Sequence, residues 1–157
     1  MTVVQVTVAV PTDLPALTQL FRAYASALPI DLGYQGFDDE LASLPGKYAP
    51  PDRALLIARD ASGAPLGCVA MRPLEPGVCE MKRLYVAPEG RGQGLGKQLA
   101  LAIIEAARAR GYAEMRLDTL ASMGEAQALY RTLGFTKIRA YYKTPIAGTV
   151  FMRLKLR

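Results

Sequence analysis

The sequence predicts a mixed α/β fold, in which a mainly antiparallel sheet is flanked by helices. Segments rich in valine and threonine alternate with segments whose apolar residues recur at helical spacing, in the order β-α-α-β-β-β-α-β-α-β-β. Two neighbouring strand segments, Pro65–Arg72 and Val78–Val86, have the pattern of the two arms of a hairpin. A chain of 157 residues, 51% of them hydrophobic, suits one domain with a sizeable core, and we expect residues 1–157 to form it.

The N-terminal half is predicted to begin with a strand and a helix. Thr2–Val10 is rich in valine and threonine, which favour β-strands. Thr12 can cap a helix that runs to about Leu28, and Pro15 is tolerated in the first turn of that helix. The remaining predicted segments of this half are a loop at 29–36, a short helix at 38–44, a second loop at 48–53 and a strand at 54–59.

Two glycines separate the predicted elements of the C-terminal half. Gly111 and Gly134 each follow a segment with helical periodicity, and both suit the C-terminal cap of a helix. The predicted helices are Leu95–Arg110 and Ser122–Leu133, and the predicted strands are Tyr112–Leu120, Phe135–Lys143 and Thr149–Leu156.

The composition excludes several kinds of site. The chain has no histidine, which removes Ser-His and Cys-His catalysis and the commonest metal ligand, and its two cysteines cannot form a zinc cage alone. We therefore expect no metal. Cys68 and Cys79 lie in apolar segments, so we expect buried free thiols and a cytoplasmic protein.

The charge and hydropathy patterns also narrow the class of partner. No signal peptide is apparent, and the apolar stretches are shorter than the roughly 18 residues that span a membrane, so we expect no membrane partner. The net charge of +5 comes from scattered basic residues, which does not favour nucleic acid.

A glycine-rich loop, Arg-Gly-Gln-Gly-Leu-Gly at 91–96, lies between a predicted strand and a predicted helix. Glycines let the backbone turn sharply, and the free N–H groups of the following helix can bind phosphate. The P-loop pattern fails because Gly96-Lys97 is followed by Gln98, and the dinucleotide pattern fails because no third glycine falls at the required spacing. The loop therefore predicts a phosphorylated ligand of another kind.

The pattern that fits is Arg/Gln-x-x-Gly-x-Gly/Ala, which Arg91, Gly94 and Gly96 satisfy. With this loop the sequence resembles the GCN5-related N-acetyltransferase (GNAT) superfamily. The resemblance covers most of the chain and is strongest from Cys79 to Phe135, where "EMKRLYVAPEGRGQGLGKQL" is followed by "AQALYRTLGF". It implies a GNAT-like acyl-CoA N-acyltransferase fold.

The resemblance also implies that acetyl-CoA is the acyl donor. The loop amides would hold the CoA pyrophosphate, and the backbone of the strand before the loop would pair with the pantetheine arm. That strand usually carries a bulge and diverges from the next strand, so that an N–H near Leu84 or Tyr85 faces the thioester oxygen. The cofactor-binding residues so implied are Leu84, Tyr85, Val86, Arg91, Gly92, Gln93, Gly94, Leu95, Gly96 and Lys97.

Two residues are implied to be catalytic. Tyr130 occupies the position of the family's general acid, and a phenol, with its usual pKa of about 10, can protonate the leaving thiolate. Glu80 lies eleven residues before Arg91, where several members carry a glutamate as general base. A role for Glu80 in binding the substrate amine is equally open. Asp118, on the opposing strand, is a reserve candidate for a catalytic carboxylate. Lys82 and Arg83 are expected to form a solvated edge of the sheet.

The acceptor is predicted from the variable segments, 29–51 and Tyr141 to Lys143. Aromatic and polar residues there suit a pocket for a small-molecule amine, and Arg72, Arg139 and Lys143 could hold a carboxylate, which favours an amino-acid-like acceptor that attacks acetyl-CoA directly in a ternary complex. A protein or peptide amine and a non-catalytic acyl-CoA-binding module are the alternatives. We expect a monomer or a homodimer.

Overall fold

The computed structural model describes residues 4–49 and 51–157, and within them a seven-stranded sheet has the order β1-β2-β3-β4-β5-β7-β6. Every neighbouring pair is antiparallel except β4 and β5, which run parallel. The mixed, mainly antiparallel sheet is therefore confirmed. The strands are β1 (Gln5–Val8), β2 (Ala54–Arg59), β3 (Pro65–Glu75), β4 (Val78–Val86), β5 (Glu114–Thr119), β6 (Thr136–Ile138) and β7 (Val150–Lys155). The helices are α1 (Leu14–Ala27), α2 (Phe37–Ala42), α3 (Leu95–Ala109) and α4 (Gly124–Thr132).

Two hydrophobic layers cover the sheet. One contains buried residues of α3, among them Leu99 and Ile103, together with Met81 of β4. The other contains Leu17 and Phe21 of α1 with buried residues of α2, β2 and β3. The central strands are buried on both faces as a result, which explains the near-continuous apolar runs in their sequences.

The parallel pair β4–β5 is short, and this determines where a ligand can enter. The two strands pair only over Val78–Glu80 and Glu114–Arg116. Beyond these residues β4 and β5 separate, which leaves the second half of β4 without a neighbouring strand on that side. A gap between the strands, as the resemblance implied, is thus present.

Several predicted boundaries were wrong, two of them because of a tertiary or cap contact. The carboxylate of Asp13, not the side chain of Thr12, accepts the Val10 N–H at the start of α1, which follows a 3-10 turn. The predicted strand Phe135–Lys143 is reduced to β6, because the chain then turns back over the sheet. Helix α4 begins two residues later than Ser122. Thr2 lies outside the described residues.

Both cysteines are buried free thiols, as predicted. Burial raises the pKa of Cys79 to about 12 and also raises that of Cys68. Within the described part of the chain, no helix combines the length and the apolar character needed to cross a membrane.

Candidate active site

The glycine-rich loop connects β4 to α3 and presents the N-terminus of that helix to solvent. Gly92 and Gly94 have φ angles of 79° and 72°, in the left-handed region that residues with a Cβ avoid. A Cβ added at either position would meet no atom within 4 Å, so packing does not require glycine there. The backbone conformation requires it. The Arg91 guanidinium donates to the Val86 carbonyl at 3.2 Å and ties the loop to β4.

A groove of about 810 Å³ runs from this loop along β4 to the start of α4. Eight of the predicted cofactor-binding residues line it: Leu84, Tyr85, Val86, Arg91, Gly92, Gly94, Leu95 and Gly96. Gln93 and Lys97 do not; both are exposed, and Gln93 donates to the Glu89 carbonyl at 3.5 Å. The opposite wall comes from α1 and α4. The groove has the length and the anion-binding end that a nucleotide with a long linear arm requires.

Strand β4 carries a bulge at its centre. Cys68 pairs with Tyr85 and Ala70 with Lys82, so two residues of β4, Arg83 and Leu84, lie opposite one residue of β3. Arg83 adopts a φ of 60°. The bulge places two consecutive basic side chains on one face, where the Lys82 ammonium and the Arg83 guanidinium donate to the same Gln35 oxygen at 3.2 and 2.7 Å.

Lys82 and Arg83 are not the solvated edge that the sequence led us to expect. Their exposed fractions are 7% and 3%, because α1, α2 and the segment between them cover this face. Burial lowers the pKa of Lys82, and the neighbouring carboxylates of Glu80 and Asp118 oppose this effect. A buried ammonium with few partners is a strong site for an anionic group.

A cleft of about 40 Å³ opens between β4 and β5, next to the groove. Lys82 and Asp118 line it from the two strands, and the Lys82 ammonium lies 3.9 Å from an Asp118 carboxylate oxygen. Leu84 and Met123 border both the cleft and the groove, so the two spaces meet there. The arrangement can hold a donor in the groove and a small charged molecule in the cleft.

Tyr130 lies on α4 at the wall of this cleft. Its side chain is buried against Phe135, with 5.7 Å between the ring centroids. Burial raises the pKa of Tyr130 above its usual range, so the phenol is protonated at neutral pH. The predicted role of general acid is compatible with this position and stays a prediction.

Glu80 is 1% exposed and does not line the cleft. One carboxylate oxygen accepts from the Arg72 guanidinium at 2.9 Å and the other from the Tyr141 hydroxyl at 2.6 Å. Arg72 is therefore engaged with Glu80. The exposed side chains of Arg139 and Lys143 do not line the cleft either.

Asp118 has a matching tyrosine contact. It accepts from the Tyr142 hydroxyl at 2.6 Å, and the Tyr141 and Tyr142 rings both pack edge-on against Phe151. Burial, and then the facing carboxylate, raises the pKa of each tyrosine, so both hydroxyls remain donors. These contacts carry residues 139–149 across the sheet and explain why the predicted strand ends early.

Sequence reasoning missed several residues of the cleft. Lys82 was assigned to solvent, and Gln35 was noted only as part of a variable loop. The signal that could have found Lys82 is strand alternation, which puts it on the same face as Glu80, and the bulge adds Arg83 to that face. Thr119 also lines the cleft, and within the described residues its buried hydroxyl makes no hydrogen bond.

Comparisons with known proteins agree with this geometry. The model of the acetyltransferase (GNAT) family matches residues 15–135. An uncharacterized N-acetyltransferase of Schizosaccharomyces pombe is 45% identical over 150 residues, which cover 95% of this chain and 92% of that protein. A GNAT-family acetyltransferase structure from Staphylococcus aureus has a TM-score of 0.83 at 17% identity, covering 99% of this chain and 100% of the other.

YncA of Salmonella typhimurium, solved with acetyl-CoA, has a TM-score of 0.75 at 20% identity and covers 98% of this chain and 94% of its own. The fold and site define an acyl-CoA-dependent transferase. The chain belongs to the GNAT acetyltransferase family. The prediction of an N-acetyltransferase that takes its acyl group from acetyl-CoA is thereby confirmed.

Proposed function

We propose that the protein transfers the acetyl group of acetyl-CoA to the primary amine of a small amino-acid-like acceptor, by direct attack in a ternary complex. The observation that carries the proposal is the pair of opposite charges in the cleft. Lys82 and Asp118 are both largely buried, with side-chain exposed fractions of 7% and 11%. A zwitterion can satisfy both charges, because its carboxylate suits the ammonium and its amine suits the carboxylate.

The donor is proposed to lie in the groove with its pyrophosphate on the glycine loop. The N-terminus of α3 and the amides from Gly92 to Gly96 supply the donors for the phosphates. The thioester then lies at the junction of groove and cleft, beside Leu84. The Thr119 hydroxyl, which has no partner among the described residues, is available there to a polar group of the donor.

The acceptor is proposed to be small. The cleft is small compared with the adjoining groove and is bordered by apolar side chains as well as by the two charges. Leu28, Ile30 and Leu117 are among them, which favours an acceptor with an apolar part. Lys82 replaces Arg72, Arg139 and Lys143 in our assignment of the carboxylate partner.

Two carboxylates compete for the role of general base. Asp118 lines the cleft and can contact the amine directly, whereas both oxygens of Glu80 are already hydrogen-bonded. We therefore propose Asp118 as the group that receives the ammonium, and keep Glu80 as a base that would act through a water molecule or through its neighbours. Tyr130 is proposed to protonate the departing CoA thiolate.

An acceptor screen with acetyl-CoA tests the proposal. Free CoA thiol is measured with apolar amino acids, with the amines that lack their carboxylate, with polyamines and with short peptides. We expect turnover of amino acids and at least a tenfold lower kcat/KM for the matched amines, because they leave Lys82 unpaired. Turnover confined to polyamines or to peptides would refute the zwitterion proposal.

A further inference from the structure

A buried ion pair lies directly behind the bulge of β4. The Arg83 guanidinium binds both oxygens of Glu40, at 2.9 and 3.0 Å, and each side chain is 1% exposed. Glu40 lies on α2, 43 residues earlier in the chain. The rings of Phe37 and Tyr24 lie 5.3 and 5.7 Å from the guanidinium carbon. The side chain of Arg83 is therefore fixed from several sides.

The backbone of Arg83 is in a conformation that its residue type disfavours. Its φ of 60° is the only positive φ of a non-glycine residue in the described ranges. A residue with a Cβ pays a steric penalty in the left-handed region, and such a conformation persists only where surrounding contacts hold it. The buried, bidentate ion pair with Glu40 is one of those contacts.

The conformation of Arg83 determines the position of the next peptide group. The bulge removes one residue from the ladder with β3, and β5 has already diverged from this part of β4. Leu84 borders both the groove and the cleft. Its amide thus belongs to the bulged part of β4, at the place where the thioester is proposed to lie.

We infer that Glu40 and Arg83 are positioning residues, which hold the bulge in its left-handed conformation and so align the Leu84 amide with the thioester carbonyl oxygen. The inference rests on the proposed position of the thioester. An oxyanion donor acts only when it is held in place before the reaction, and here α2 supplies the support. The helix that packs over the acceptor side would thereby also control activation of the donor.

The experiment compares two variants that lose the same guanidinium. R83G and R83A both remove the ion pair, but only glycine adopts a positive φ without a steric penalty. The probe is acetyl-CoA labelled with ¹³C at the carbonyl, and the measurement is the infrared stretching frequency of that carbonyl, bound against free. E40Q, which keeps the shape of Glu40, is measured with them, and thermal melting and acetyl-CoA affinity are recorded for each.

We expect the wild-type protein to lower the carbonyl frequency, since a hydrogen bond polarises the C=O group. R83G should retain most of this shift and R83A should lose most of it, with an acetyl-CoA hydrolysis rate about tenfold below that of R83G. E40Q should lose part of the shift. A purely structural role of Arg83 and Glu40 would lower the melting temperature of the variants and leave the carbonyl stretching frequency of bound acetyl-CoA at its wild-type value.

The outcomes separate the two claims. A wild-type protein that binds acetyl-CoA without any carbonyl shift would overturn the proposed thioester position. A wild-type shift that R83A and E40Q retain in full would overturn the positioning role and leave the thioester position intact. If the Arg83 variants do not fold, E40Q alone decides in the same way.

Discussion

Replacing Gly96 by glutamate separates the cofactor role of the glycine loop from any role in folding. Gly96 is the second residue of α3, and an added Cβ would lie 3.7 Å from Leu129 and 3.8 Å from Val86, which are ordinary contacts. The protein itself therefore accommodates a Cβ at this position. Both neighbours line the groove, so the glutamate side chain would project into the space that we assign to the donor.

The size of each effect follows from this geometry. Glutamate is favoured over glycine in helices by up to about 1 kcal/mol and its charge suits a helix N-terminus, so the melting temperature of a domain of this size should rise by roughly 2–4 °C at most. Acetyl-CoA affinity should fall at least about tenfold, or about 1.4 kcal/mol, because the carboxylate blocks and repels the pyrophosphate. Stability and binding are thus expected to change in opposite directions.

The assay combines thermal unfolding with calorimetric titration of acetyl-CoA. G63E is the matched control, since Gly63 has a φ of 87° in the turn between β2 and β3, remote from the groove, with open space around it. G63E should lose about 1 kcal/mol of stability and keep its affinity. An affinity of G96E within twofold of the wild-type value would refute the assignment of this loop to the pyrophosphate.

Five further substitutions test the remaining roles. Y130F should lower kcat at least about 100-fold with unchanged acetyl-CoA affinity, as expected for loss of a general acid; a normal kcat would exclude that role. E80Q is compared with D118N over the pH profile of kcat/KM, and whichever variant keeps the wild-type profile is not the base. K82M should raise the acceptor KM and leave kcat largely unchanged, and a KM equal to that of the wild-type protein would exclude carboxylate binding by Lys82. In the wild-type protein the acceptor KM should increase as the pH rises, already at pH values below 10.5, because burial lowers the pKa of Lys82 and its ammonium loses the proton there. D13A should unfold more easily by about 1–2 kcal/mol at neutral pH. The Val10 N–H and then the Arg59 guanidinium lower the pKa of Asp13 in the folded protein. The stability that Asp13 contributes is therefore present above pH 3.8 and is lost as the pH falls through this lower folded pKa. A stability difference between D13A and the wild-type protein that persists in acid would contradict this.

Much of the fold was predictable because it depends on local rules. Helix α3 has an apolar stripe and a glycine after its end, and β3 and β4 are joined by a short turn, so their sequences alone indicate their structure. The boundaries that were wrong depend on partners distant in sequence. The segment that contains Tyr141 and Tyr142 has a strand-like pattern, but the two hydroxyls donate to carboxylates of β4 and β5 and draw the chain across the face of the sheet.

The candidate site divides in the same way. Eight of the ten predicted cofactor-binding residues line one groove, since they follow one another along a strand, a loop and a helix start. The acceptor residues were not predictable by the same means. Arg72 is paired with Glu80, whereas Lys82, assigned to solvent, lies inside the cleft.

The sequence by itself determined the glycine loop and the groove beside it, because a glycine loop between a strand and a helix specifies its own backbone and exposes its own N–H groups. Tertiary structure decided the cleft between β4 and β5. A single bulge at Arg83 changes the alternation of β4 and turns Lys82 and Arg83 to the same face, where helices α1 and α2 bury them. No local pattern specifies that burial, since it depends on packing between segments more than 40 residues apart.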